Sequence, residues 1–180
     1  MAGEAGASDP AFVDQLRQRF GLDRPLLEQL WIYLSEVVRF NLGFSYRNQV
    51  PVIDLIAERL PATLLLMGAS FALSLTLGVG FGALAASARF FGRGGWLDSL
   101  ITTVALLFYA TPLFWLALML VVVFSVQLDW LPAFGMESVG AGLTGWARAV
   151  DVAGHLVLPT LALSFFFMSV YVRLTRAAML

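Results

Sequence analysis

Charged side chains fall in blocks along this chain, and the gaps between the blocks are its clearest pattern. From Pro61 to Ala88 none occurs in 28 residues. A second such run extends from Ser99 to Leu128. A third covers Val152 to Val172, with His155 as its one basic or acidic side chain. About 20 apolar residues at ~1.5 Å each cross a ~30 Å hydrocarbon layer, so each run is long enough to span. The pattern predicts an all-α, polytopic membrane protein with spans over about 61–88, 99–128 and 152–172. Three helices make only a small bundle, which implies reliance on further helices around them.

The segment before the first span follows a different pattern. Residues 1–60 carry Arg17, Arg19, Arg24, Arg39, Arg47 and Arg59 against Glu4, Asp9, Asp14, Asp23, Glu28, Glu36, Asp54 and Glu58. Asp9-Pro10 reads as a helix cap followed by proline in the first turn. Phe12, Val13, Leu16 and Phe20 then recur at helical spacing up to Gly21. A second amphipathic helix is predicted after Asp23, with Leu27, Leu30, Trp31, Leu34, Val37 and Val38 on one side and an end at Asn41-Leu42-Gly43. Gln49-Val50-Pro51 is expected as an extended or turn element, because the residue before proline avoids the helical region. Asp54 to Leu60 leads into the first span. These helices read either as a packed lid on a membrane domain or as a surface for substrate or partner contact.

Composition narrows the function classes. Hydrophobic residues are 59% and charged residues 13%, about half the usual charged share of a soluble domain. No cysteine is present, which removes disulfides, thiolate metal sites and a thiol nucleophile. A net charge of −1 offers no basic face for nucleic acid. The eleven basic residues are all Arg, which points to coding bias rather than function. Their placement sets the orientation. Arg89 and Arg93 lie in the loop 88–98, and Arg173 and Arg176 follow the third span. The 129–151 loop has Arg148 against Asp129, Glu137 and Asp151. Positive loops stay in the cytoplasm, which places residues 1–60 and the 129–151 loop outside and the C-terminus inside. Trp130, Phe134 and Trp146 suit an outer interface. An exported N-terminal segment without a signal-like start, and a final helix ending just past Arg176, are expected of an internal piece of a longer protein.

Within the spans, Ser70, Ser74, Gly78, Gly82 and Ala86 repeat every four residues. Such a ladder lets a neighbouring helix approach closely, the small-xxx-small device of membrane packing; lining a pore is the other reading. Gly80-Phe81-Gly82-Ala83-Leu84-Ala85 matches a dinucleotide fingerprint only formally, since no strand precedes it and it lies in mid-span. Tyr109, Thr111 and Pro112 mark a proline break in the second span, with the Thr111 hydroxyl available to a freed carbonyl. That break serves either gating along a path or passive bending, and Pro159-Thr160 repeats it. His155 shares a helix face with Asp151, but Ser164 is roughly 13 Å further along the axis, so the pair reads as interfacial rather than catalytic. One His and no Cys offer no transition-metal site, and without a phosphate loop any ATP hydrolysis belongs to another chain.

Several strings carry a more specific signal. Phe20-Gly21-Leu22-Asp23-Arg24-Pro25, Asn41-Leu42-Gly43-Phe44-Ser45, and Pro51-Val52 leading to Glu58-Arg59-Leu60-Pro61-Ala62-Thr63-Leu64 come first. Thr111-Pro112-Leu113-Phe114-Trp115 and Trp130-Leu131-Pro132-Ala133-Phe134-Gly135 follow. His155 to Leu163 and Arg173-Leu174-Thr175-Arg176 complete the set. In order and spacing these resemble the inner-membrane permeases of dipeptide, oligopeptide and nickel ABC importers, along nearly the whole chain.

The resemblance implies a type I importer fold of six spans, with residues 1–60 as the periplasmic segment between spans one and two. Residues 61–180 would then be a partial transmembrane domain, lacking the first span and the cytoplasmic coupling motif. It also implies a second permease, two cytoplasmic ATP-binding subunits and a periplasmic solute-binding protein as partners, within the lipid bilayer of a bacterial inner membrane. No catalytic residue, cofactor or metal is expected. Tyr109, Thr111 and Pro112 are the candidates beside a translocation path for peptides or a related small solute. A non-transporting assembly subunit is the rival reading.

Overall fold

A computed structural model describes residues 24–90, 92 and 95–180, and it is almost entirely helical. Contacts divide the chain into two compact units, Met1–Arg59 and Leu60–Leu180. The helix expected over Phe12 to Phe20 lies outside the described residues, as does Arg93.

In the first unit, helix α1 covers Leu26–Val38. Pro25 precedes it, and Arg24 pairs with Glu28 of the first turn at 2.6 Å. Its apolar positions are uncovered: no residue of α1 is buried, and Leu27, Trp31 and Val38 are largely exposed. The helix stops before the Asn41-Leu42-Gly43 stretch the sequence suggests. Phe40 already adopts a left-handed φ of 60°, and the Asn41 N–H donates back to the Glu36 carbonyl at 2.9 Å. The Gln49-Val50-Pro51 element proves to be half of a short antiparallel hairpin. Strand β1, Phe44–Ser45, pairs with β2, Val50–Pro51, in the register Phe44 to Pro51 and Ser45 to Val50. The turn closes through Gln49 at φ 57°, whose N–H donates to the Ser45 carbonyl at 2.7 Å.

Helix α2, Val52–Phe90, begins here and supplies the first helix of the second unit. It is longer than the expected 61–88 because polar Asp54, Glu58 and Arg59 join the helix rather than precede it. Helix α3, Gly95–Ala110, and helix α4, Leu113–Val121, take the place of a single second span and meet at 97°. The bend is sharper than a kink because Pro112 has no N–H to donate and disfavours helical geometry at Thr111. A π-helical stretch, Val122–Gln127, prolongs α4, and Asp129 at φ 53° ends it. Helix α5, Gly145–Met179, contains the third run and adds a turn or more at each end.

Helix α5 holds this unit together. Ala105 of α3 packs with Met168 and Val172 of α5, and Leu77, Ile101, Phe108 and Phe165 close around them. Large apolar side chains such as Leu64, Met67, Phe71 and Leu106 face outward. That is the arrangement a bilayer favours, since lipid tails are as apolar as a protein core.

Helix direction follows from the contacts. On α2 and α5, Ser70 meets Ser164, Gly78 meets Met168 and Tyr171, and Gly82 meets Val172 and Thr175. The numbers rise together, so these helices run parallel. On α3 and α5 they run oppositely, with Asp98 at Arg176 and Phe108 at Phe165. Among the described residues α2 and α5 alone are long and apolar enough to cross a membrane, and the bent α3–α4 pair makes three if counted as one span. Two parallel crossings require the chain to return between them. A re-entrant pair would deliver α5 in the opposite sense, so crossings by both α2 and α5 would need the bent pair to act as a span.

Candidate functional site

The break at Thr111-Pro112 is where the helical pattern fails inside an apolar run, and Tyr109 stands just before it. Pro112 has extended geometry, φ −58° and ψ 127°, and its carbonyl starts α4 by accepting from the Leu116 N–H at 3.0 Å. The Thr111 hydroxyl donates to the Leu107 carbonyl at 2.7 Å, which the Thr111 N–H also contacts at 3.0 Å. It therefore doubles an existing bond instead of reaching Phe108, whose carbonyl a residue other than proline at 112 would have engaged.

Successive aromatic residues dock this end of α3 on α5. Phe108 stacks on Phe165 with ring centres 4.7 Å apart, and Tyr109 stacks on Phe166 at 5.8 Å with planes 15° apart. Stacking of this kind contributes about 0.5–1.5 kcal/mol per pair beyond the buried area. The Arg173 guanidinium sits over the Tyr109 ring, 4.3 Å from its centre. Tyr109 remains 45% exposed, so part of this platform is open.

The small-residue ladder lies elsewhere on α5. Ser70, Ser74, Gly78, Gly82 and Ala86 are all buried, whereas Gly80 between them is not. The Ser164 hydroxyl donates to the Ser70 carbonyl at 3.2 Å. A Cβ on Gly82 would lie 2.7 Å from the Thr175 Cβ and 2.8 Å from the Val172 carbonyl oxygen, and one on Gly78 would strike the Tyr171 Cβ. Ladder and break thus contact the same helix from two neighbours.

A charged cluster was hidden from sequence reading. Asp98 is only 5% exposed, and its two oxygens accept from Arg176 Nε at 2.5 Å and Nη2 at 2.8 Å. Arg89 approaches to 3.5 Å. The ends of α2, α3 and α5 therefore share one carboxylate. Arginines near span ends mark orientation in a sequence, and nothing local shows which acid they will meet. At the other end of α5, Asp151 accepts from the Ser138 N–H at 2.7 Å and hydroxyl at 2.6 Å. His155 Nδ1 lies 2.8 Å from the Asp151 carbonyl oxygen and 3.7 Å from its carboxylate, so its nearer partner is the backbone. Glu137 and Arg148, paired at 2.6 Å, line a shallow depression beside Ser138 and Asp151. Among the described residues no group of His, Asp and Glu could hold a metal ion.

Comparison with known proteins adds a family match. Residues 78–180 match the profile of the binding-protein-dependent transport system inner membrane component, and residues 3–67 match that of its N-terminal part. The chain is 37% identical over 180 residues to a protein of Brucella abortus named as a peptide transport system permease, covering all of this chain and 54% of that one. It is 36% identical over 168 residues to a peptide ABC transporter permease protein of Sinorhizobium fredii, covering 93% of this chain and 50% of the relative. The glutathione transport system permease protein GsiC of Escherichia coli K12 is 35% identical over 171 residues, 95% of this chain and 50% of that protein. The chain spans about half the length of the curated relatives it matches.

Proposed function

The chain belongs to the family of binding-protein-dependent transport system inner membrane components, and we propose from that premise that its parent is a permease subunit of an ABC importer. The parent forms half of a path for peptides or a related small solute. ATP hydrolysis on two cytoplasmic subunits drives it, a second permease supplies the other half, and a periplasmic solute-binding protein delivers the cargo. Residues 1–60 form the periplasmic segment and residues 61–180 part of the transmembrane domain.

The observation that carries the path is the break at Thr111-Pro112. Non-helical backbone at membrane depth is tolerated only where protein buries it or where it borders a water-filled cavity. In this chain Pro112 is exposed and Tyr109 and Trp115 are about half exposed. A path bordered by Tyr109, Thr111 and Pro112 accounts for that exposure, and broken helices at the binding level of transporters are a recurrent device. The ladder from Ser70 to Ala86 serves packing on α5. The test is uptake in proteoliposomes holding the full-length parent and its partners. ATP-dependent accumulation of peptide that requires the solute-binding protein is expected, and its absence sinks the importer reading.

Orientation has its own test. In the full-length parent, cysteine at Val139, fully exposed in the connection before α5, should react with an impermeant thiol reagent added outside. Cysteine at Ser99, the fifth residue of α3, should react only after the membrane is permeabilised. Reversed labelling would invert the assignment of residues 1–60 to the periplasm.

A further inference from the structure

We propose that Arg173, oriented by Tyr109, is a binding point for a carboxylate of the transported solute. This deepens the importer reading and rests on it.

The arginine points the unexpected way. It lies within two turns of the end of α5, where such a side chain ordinarily turns its head group outward to water. Instead its Nε donates to the Ser169 carbonyl at 3.2 Å, one turn back along the helix, and its guanidinium covers Tyr109. Arg176 takes the opposite course and meets Asp98. Asp98 and Tyr109 stand about three turns, ~16 Å, apart on α3. Two arginines of one helical turn thus diverge, one to the end of the bundle and one inward to the proline break.

What Arg173 has not found there is an acid. Asp98 is already held by Arg176 and Arg89, and among the described residues Arg173 makes no ion pair. With no acid paired to it among the described residues and its Nε on a backbone carbonyl, the guanidinium keeps donors that an incoming anion can take. Lying over a ring, a guanidinium keeps its in-plane N–H groups free. With Nε used, the paired Nη edge remains, and its geometry fits the two oxygens of a carboxylate. Arg173 is exposed and Tyr109 partly so, which leaves that edge accessible. The position, inward of Arg176 and next to the break, favours a passing solute over a lipid headgroup at the interface.

The test uses the full-length parent with its second permease, ATP-binding subunits and solute-binding protein in proteoliposomes. The probes are alanyl-alanine, glutathione and the C-terminal amide of each. The readout is the ratio of free-acid to amide uptake within one preparation, which does not depend on how much complex assembles. The solute-binding protein is common to all arms, so its own preference cancels between variants. Arg173→Gln should lower the ratio about tenfold, as expected for loss of a charge-assisted hydrogen bond. Arg173→Lys keeps the charge without the fork and should lower it less. Tyr109→Leu should fall between the two. An unchanged ratio in Arg173→Gln, with uptake intact, overturns the carboxylate site and leaves the importer standing. An unchanged ratio with a new dependence on phosphatidylglycerol content identifies a lipid contact and overturns it equally. If the unmodified complex accumulates none of the probes, the peptide-importer reading fails and the site falls with it.

Discussion

Gly82→Leu in the full-length parent should cut the yield of assembled, detergent-extractable protein by about tenfold, while Gly80→Leu leaves it nearly unchanged. The two glycines are two residues apart in one apolar helix, and hydropathy does not separate them. Their surroundings do. A Cβ on Gly82 would sit 2.8 Å from a backbone carbonyl oxygen of α5, whereas one on Gly80 meets nothing within 4 Å. A flexible side chain could turn aside, but the carbonyl moves only with its helix. Leucine at 82 must therefore push α2 and α5 apart, and in a bilayer no hydrophobic force drives them back together. Size-exclusion profiles and copurification of partner subunits give the measurement. Equal losses for the two variants would turn the face of Gly82 toward lipid and dissolve the packing role of Ser70, Ser74, Gly78 and Ala86 with it.

Asp98→Ala should destabilise the same protein by about 2–3 kcal/mol. Loss of one partner of a fully buried pair costs ~3–5 kcal/mol, because the remaining charge is stranded. Here Arg176 keeps 24% of its side-chain exposure and Arg89 62%, so water screens part of the loss. The informative arm is the double variant Asp98→Ala with Arg176→Met. Removal of both charges should recover much of the stability, since paired ions are often no better than apolar replacements. A denaturant titration in detergent of the single and double variants yields the coupling energy. If Asp98→Ala costs no more than an exposed carboxylate, the three helix ends are held by packing alone.

Much of the architecture is legible in the sequence. Apolar length marked the membrane helices, because a bilayer admits only backbone that satisfies its own hydrogen bonds. Proline at 112 marked the break, though not its 97° angle. Proline removes one donor and disfavours the helix before it, but how far the chain then turns depends on what receives it. Here α5 receives α4 after the break, as it receives Phe108 and Tyr109 of α3 before it. The hairpin Phe44 to Pro51 was half visible: Val50-Pro51 was expected as extended, but its partner strand was not, since two-residue strands carry no periodicity.

By itself the sequence determined what is local or additive: which segments are apolar enough to cross, where a backbone donor is missing, which residues are small, and the family strings. Tertiary structure alone decided which distant groups meet. Arg173 and Arg176 look alike in the chain, both basic and just past an apolar run, yet one closes on a buried carboxylate and the other turns back over an aromatic ring. Likewise Gly80 and Gly82 are equivalent by composition and opposite in crowding. The physical reason is that pairing energy falls off within a few ångströms. Side chains of Asp98 and Arg176, 78 positions apart, interact only once α3 and α5 are packed antiparallel, and no local pattern encodes that packing.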